Sequence, residues 1–304
     1  MRNPMATPEK TINTATHMDA VTLRVGDLEN MTSYYATILD MDPIEEKSRG
    51  RDVHRVLGRN GLPLMRLVST PGLPGVDPGQ AGLYHTAFLF EAPAALAATV
   101  YRAARDPRSS FVGSSDHLVS EAFYFTDPEG NGIELYVDRP REAWTYTGGD
   151  VDMDTVYLDP NAYLQKHLNQ KVLESNRSQP ATIGHVHLQV GDLNQAAAFY
   201  IDRIGFERTT SIPGALFTSA GGYHHHVAMN TWHSGGAGPR AATLGLAEVS
   251  ILVPEREDLD MLVSRLGDWE HSDNGTSVTM TDPWGTPVTV SLPGVTTEEL
   301  LERR

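Results

Sequence analysis

The sequence predicts an α+β fold built from four βαβββ modules of roughly fifty residues each. Three observations carry this. The stretch Val21-Thr22-Leu23-Arg24-Val25-Gly26-Asp27-Leu28 returns as Val186-His187-Leu188-Gln189-Val190-Gly191-Asp192-Leu193, and the interval from Gly26 to Gly191 also separates Tyr35 from Tyr200. Each copy alternates apolar and polar residues, as a half-buried strand does, and then meets a Gly-Asp turn suited to capping a helix. Finally, Asp127-Pro128-Glu129-Gly130-Asn131-Gly132 and Asp282-Pro283-Trp284-Gly285-Thr286-Pro287 set turn chemistry between apolar runs, which predicts two hairpins.

Taken in order, a tail covers 1–18 and module 1 covers 19–70, its helix breaking at Leu39-Asp40-Met41. A Pro/Gly-rich linker, 70–80, leads to module 2 (82–140), which opens on Gly82-Leu83-Tyr84-His85-Thr86-Ala87-Phe88. The polar segment 141–181 joins the halves, with a short helix expected near Tyr163–Leu173. Module 3 spans 182–232, with a break at Ile204-Gly205-Phe206. After a second linker, 234–240, module 4 (245–294) opens on Gly245-Leu246-Ala247-Glu248-Val249-Ser250-Ile251, and the acidic run Glu255–Asp260 begins its helix. A tail, 295–304, follows. By sequence the modules form an N-terminal domain, 19–140, and a C-terminal domain, 182–294.

Composition narrows the function. The 304 residues are 40% hydrophobic, enough for more than one core. A net charge of −15 would repel phosphate backbones and anionic lipid, so nucleic acid and membrane surfaces are poor partners. No apolar run is long enough to span a bilayer and the start lacks a secretion signal's apolar core, which predicts a cytoplasmic protein. With no cysteine, any metal must rest on His, Asp, Glu or Tyr, and twelve histidines are present.

The candidate chemistry lies where the repeat is broken. Gly184-His185-Val186-His187 stands where module 1 has Asp19-Ala20-Val21-Thr22, and His85 where module 4 has Glu248. Glu134 follows the module 2 turn where module 4 has Thr289, and Tyr223-His224-His225-His226 precedes the last strand of module 3. A strand-borne His alone is more often a hydrogen-bonded core residue. Two His and one Glu at equivalent ends of equivalent strands would converge if modules 2 and 3 shared one barrel. Two His and a carboxylate leave coordination positions open, as non-haem Fe(II) oxygen chemistry requires. Strand alternation would let at most two of His224–His226 face the site. The tryptophans Trp144, Trp232, Trp269 and Trp284 read as packing or turn residues.

The pattern His185-x-x-Leu188-x-Val190-x-Asp192-Leu193, with Asp127-Pro128-x-Gly130-x-x-Ile133-Glu134, resembles the vicinal-oxygen-chelate superfamily, which includes glyoxalase I, bleomycin-resistance proteins and extradiol dioxygenases. The run Ser115-Asp116-His117-Leu118-Val119-Ser120, then Phe123-Tyr124 and Glu134, looks like the catalytic half-barrel of catechol-type extradiol enzymes. With Gly221-Gly222-Tyr223-His224-His225-His226, it is similar to the bacterial two-domain catechol 2,3-dioxygenases.

The resemblance implies two domains with mixed-sheet half-barrels. It implies His85, His185 and Glu134 as ligands to Fe(II), or to Mn(II), with O2 as co-substrate. His225 would be the acid–base group, its ordinary pKa near neutrality, and His117 and Tyr124 would contact a small aromatic diol, cleaved to a muconic semialdehyde-type product. His187, His224 and His226 are candidates for a position behind the ligands or for an extra ligand. Many such enzymes use their last two modules, whereas module 4 here lacks the His and Glu equivalents apart from Glu248, which implies that modules 2 and 3 pair and leave 1 and 4 as the empty barrel. A rival set on the common pattern is His185, His226 and Glu248, which would leave His117, Tyr124 and Glu134 idle. Two other functions stay open: a glyoxalase-like metal-dependent isomerase or lyase, and a metal-free binding or resistance protein. The sequence leaves the homo-oligomeric state open.

Overall fold

Each module of the computed structural model has the predicted order of strand, helix and three strands. The structure describes residues 11–50, 52–175 and 180–294, so residues 1–10 of the first tail and the tail 295–304 lie outside the described residues. Module 1 runs Val21–Val25, helix Leu28–Leu39, Asp42–Arg49, Asp52–Arg59 and Leu62–Ser69. Module 2 runs Gly82–Phe90, helix Pro93–Arg105, Ser110–Asp116, Ser120–Thr126 and Gly132–Asp138. Module 3 runs Ala181–Gln189, a helix from Leu193 to Arg203, Glu207–Ile212, Ala215–Ser219 and Val227–Asn230. Module 4 runs Gly245–Leu252, helix Arg256–Leu266, His271–Asp273, Ser277–Thr281 and Pro287–Ser291. The repeated Gly-Asp turn acts as its chemistry suggests: Asp27 accepts from the Asn30 amide and Asp192 from the Gln195 amide, satisfying donors at the two helix starts. Glu255 and Asp258 form a reciprocal cap at the module 4 helix.

Within every module the first and last strands pair in parallel. Between modules the first strands pair antiparallel, and this joins module 2 to module 3 in one nine-stranded sheet and module 1 to module 4 in the other. Each sheet therefore takes one module from each half of the chain. The helices tie the halves the other way. Tyr35 of module 1 donates to Asp127 of the module 2 turn, and Tyr200 of module 3 donates to Asp282 of the module 4 turn. In both turns the second carboxylate oxygen accepts two backbone amides, from Glu129 and Asn131 or from Trp284 and Thr286.

The segment between the halves holds two helices, Pro160–His167 and Gln170–Ser175, instead of one. Leu168 is extended, and Asn169 restarts the winding by accepting from the Val172 amide. No helix among the described residues is long and apolar enough to cross a membrane.

The face of the sheet decides what each strand residue does. Along Gly132–Asp138, Ile133, Leu135 and Val137 enter the core under the helices, which leaves Glu134 and Tyr136 on the other face. Along Ala181–Gln189 the core residues are Ala181 and Ile183, then Val186 and Leu188. The parity changes at a bulge between Ile183 and His185, which turns His185 and His187 away from the core. Gly184 sits at that bulge because the Tyr136 hydroxyl fills the space: a Cβ there would lie 1.7 Å from it.

Two outcomes are expected. Gly184→Ala overpacks the bulge by about 1–3 kcal/mol and should lower Tm by several degrees; an unchanged melting curve would mean the close approach of Tyr136 is not needed. Burial raises the Asp282 carboxyl from 3.8 to about 6, with the Trp284 and Thr286 amides, Tyr200 and Arg240 opposing. The folded chain then holds a proton that the unfolded chain releases, so this contribution to stability is whole below pH 3.8 and is lost as pH rises through about 6. Melting curves from pH 4 to pH 7 should therefore show Asp282→Asn gaining Tm relative to the parent as pH rises, and parallel profiles would contradict this.

Candidate metal centre

The inter-module strand pair sets the site. In the antiparallel register His187 lies opposite His85, and His185 opposite Ala87. Ala87 in turn neighbours Glu134, and Glu134 neighbours Tyr124. Directly opposed residues share a face, so Tyr124, Glu134, Ala87 and His185 form one row across the sheet. Ala87 presents only a methyl, and Glu134 reaches across it: Glu134 Oε2 lies 3.1 Å from His185 Nε2 and 2.9 Å from His85 Nε2. All three side chains are buried.

These atoms fit a metal. Ligand atoms of His85, Glu134 and His185 lie within 4.8 Å of one another, the one such group among the described residues. Bonds of roughly 2.1 Å put neighbouring corners of an octahedron about 3 Å apart, which matches both His–Glu spacings. His85 Nε2, though close to the carboxylate, is buried and has no aligned hydrogen-bond partner among the described residues, which fits a lone pair directed at a metal. Burial alone would push the Glu134 carboxyl up, but the imidazoles of His185 and His85 more than offset it and hold it well below the usual carboxylate range. Burial lowers His185 to about 4, against the pull of Glu134, so it is a neutral imidazole with a lone pair to give.

The remaining candidates divide by position. His187 lines the cavity, but its Nε2 accepts from the Asn230 amide, which is oriented by the Trp232 backbone N–H. This places it beside His85, at 4.9 Å between ring centres, with its Nε2 already committed. His225 packs on His185, with ring centres 3.9 Å apart, and also lines the cavity. Its pKa is not near neutrality as expected: burial, then His185 and His224, hold it well below. Across the cavity, His117 Nδ1 donates to the Asp154 carbonyl, so in the neutral ring Nε2 accepts from the Tyr124 hydroxyl at 2.6 Å. Burial and the Glu134 carboxylate keep the Tyr124 phenol well above its ordinary value.

The run His224–His226 is not strand, because pairing begins at Val227, so alternation does not govern it. His224 lies behind His225, and His226 turns away to accept from the Ala220 amide and stack near Phe206. Glu248 belongs to the sheet of modules 1 and 4, where it accepts from Ser250. The set His185, His226 and Glu248 therefore does not converge, a correction that follows from the inter-module pairing.

The cavity measures about 530 Å³, and its apolar wall includes Val112, Met153, Ile212, Phe217 and Trp232. Trp232, read as a packing residue, thus stands at the site, with its ring 5.5 Å from that of His187. Its position just after the module 3 strand that follows the His run was the available signal. Met153, Asp154 and Thr155 come from the segment joining the halves, and nothing local in the sequence places them there.

Known proteins share this architecture. The model of the Glyoxalase/Bleomycin resistance protein/Dioxygenase superfamily matches residues 17–135 and 182–288. The chain is 33% identical over 259 residues to a catechol-2,3-dioxygenase of Bacillus subtilis (strain 168), covering 84% of this chain and 89% of that protein. It is 29% identical over 133 residues to biphenyl-2,3-diol 1,2-dioxygenase 2 of Rhodococcus globerulus, covering 42% of this chain and 68% of that one. Among solved structures, glyoxalase I from Zea mays superposes with a TM-score of 0.56 at 14% identity, covering 95% of each chain. By family match and by the relative that spans most of its length, the chain belongs to the glyoxalase/bleomycin resistance protein/dioxygenase superfamily.

Proposed function

We propose that this protein is an Fe(II)-dependent extradiol dioxygenase that cleaves a neutral catechol with O2. The observation that carries the reading is the convergence of His85, Glu134 and His185, with His85 and Glu134 lining a cavity that His225, Tyr124 and His117 also line. Three ligands on an octahedral ion leave room for a chelating diol and for O2. The same donors accept Mn(II). Bound there, the metal would supply the redox coupling between catecholate and O2, and both oxygen atoms end in a ring-opened 2-hydroxymuconic semialdehyde-type product.

The chain's own groups handle orientation and protons. His225 is neutral and offers a nitrogen to accept a proton from an entering diol. Tyr124 keeps its proton, and its hydroxyl, set by His117, stands beside Glu134 to contact a substrate oxygen. An isomerase of the glyoxalase kind would need a further protein ligand for its metal, and His226, the candidate for it, faces away.

The substrate follows from the walls. A cavity of ~150 Å³ suffices for benzene, so 530 Å³ holds one ring with a sizeable substituent. No Lys or Arg is among the lining residues, which include the apolar side chains Val112, Met153, Ile212, Phe217 and Trp232. An anionic substituent would lose water there without gaining a Lys or Arg counter-charge.

With protein reconstituted anaerobically with Fe(II), O2 uptake and yellow ring-fission product should appear together on catechol, and both should vanish in Glu134→Ala along with bound iron. Uptake in the variant equal to that of the parent would refute the ligand assignment. An alkyl- or aryl-substituted catechol should exceed a carboxylated one in kcat/KM on the order of 10²-fold, from several kcal/mol of unpaired charge burial; equal values would contradict the neutral-substrate reading.

A further inference from the structure

We propose that Asp138 and His224 are positioning residues that lock His225 in one tautomer, with its proton on Nδ1 and its Nε2 lone pair presented to the cavity. The proposal rests on the reading of His225 as the acid–base group.

The chain of donors can be followed atom by atom. His224 Nε2 lies 2.9 Å from Asp138 Oδ1, and a carboxylate only accepts, so Nε2 of His224 carries the proton. In a neutral ring its Nδ1 is then an acceptor. His225 Nδ1 lies 2.8 Å from that atom and must be the donor. His225 Nε2 is left without a proton; it is buried, it has no hydrogen-bond partner among the described residues, and its ring lines the cavity. A buried basic nitrogen with no partner costs stability, which is explained if a substrate hydroxyl is its intended partner.

Asp138 is itself fixed. Its second oxygen accepts from the Tyr223 hydroxyl at 2.9 Å, and because that proton is committed, Tyr136 donates to Tyr223 at 2.7 Å. Tyr136 is the residue that occupies the space at Gly184 and packs on His185. His224 is enclosed by the rings of Tyr223, Trp144 and Tyr136. Neither ring of the His pair is therefore free to turn over. Without Asp138, nothing holds the His224 proton on Nε2. Moved to Nδ1, it would force His225 to put its own proton on Nε2, and the cavity would meet a donor where the reaction needs an acceptor. Partners that orient a functional imidazole in this way typically contribute about 10–100-fold to activity.

The test pairs a spectroscopic readout with kinetics on the full chain. Nitrogen-15 spectra of histidine-labelled protein loaded with diamagnetic Zn(II) should show His225 protonated at Nδ1 in the parent. In Asp138→Ala, the Nε2–H form should appear. On the Fe(II)-loaded enzyme with catechol, kcat should fall about 10–100-fold with KM and iron content held. Asp138→Asn should restore most of both signals, because its amide oxygen still accepts from His224. His224→Leu and His224→Gln form a second pair with the same logic, since Gln keeps an acceptor for His225 and Leu does not; this pair decides the matter if Asp138→Ala does not fold. An unchanged His225 tautomer in Asp138→Ala and His224→Leu overturns the proposal, as does a loss of kcat that Asn and Gln do not recover. His225→Ala separates the two readings: full activity there removes the acid–base role, while the spectra still judge the tautomer lock on their own.

Discussion

The antiparallel pairing of Gly82–Phe90 with Ala181–Gln189 is the contact on which the rest of this molecule depends. It joins two halves of the chain, makes one continuous sheet of modules 2 and 3, and brings the candidate ligands His85, Glu134 and His185 together from both halves. The bulge at Gly184 gives that pairing its chemical consequence. Without it, strand parity would send His185 and His187 into the apolar core with Ile183. With it they turn to the opposite face of the sheet, where His187 lines the cavity and His185 meets Glu134, and the space of one missing Cβ admits Tyr136, the first member of the hydrogen-bonded chain behind His225.

The second sheet shows what the same frame does without a site. By register, Glu248, Ala20 and Thr289 hold the places of His85, His185 and Glu134. Arg66 occupies that region as a buried guanidinium: it donates to the Ala20 carbonyl, the Ser250 hydroxyl and the Asp19 carboxylate. A covalently carried cation thus sits where the other sheet gathers metal-ligating atoms. A buried charge needs partners in either case, and the two sheets meet that need differently.

Electrostatics in the working sheet follow from crowding. His85, His185, His187 and His225 lie close together around one carboxylate, so burial and mutual repulsion keep His185, His187 and His225 neutral. Neutral imidazoles are ligands and acceptors, which is what a metal site asks of them. The net charge of −15 plays no part in this. What matters locally is which ring nitrogens are committed, and His117, His187 and His224 each have theirs set by a neighbour.

Periodicity and turn chemistry are local, and so the four modules, their helix caps and the two Asp turns could be read from the residues alone. The breaks in the repeat also pointed to His85, Glu134, His185 and His225, because a residue that departs from its counterpart is visible without coordinates. Other features were beyond such reading. The bulge at Gly184, the commitment of His187 to Asn230, and the arrival of Met153 and Asp138 at or behind the cavity depend on partners far along the chain. The sequence by itself determined the repeated unit and the kinds of ligand it carries. Only the tertiary structure decided which modules share a sheet and which way each imidazole points, because strand pairing and ring orientation are fixed by contacts between segments that local sequence does not encode.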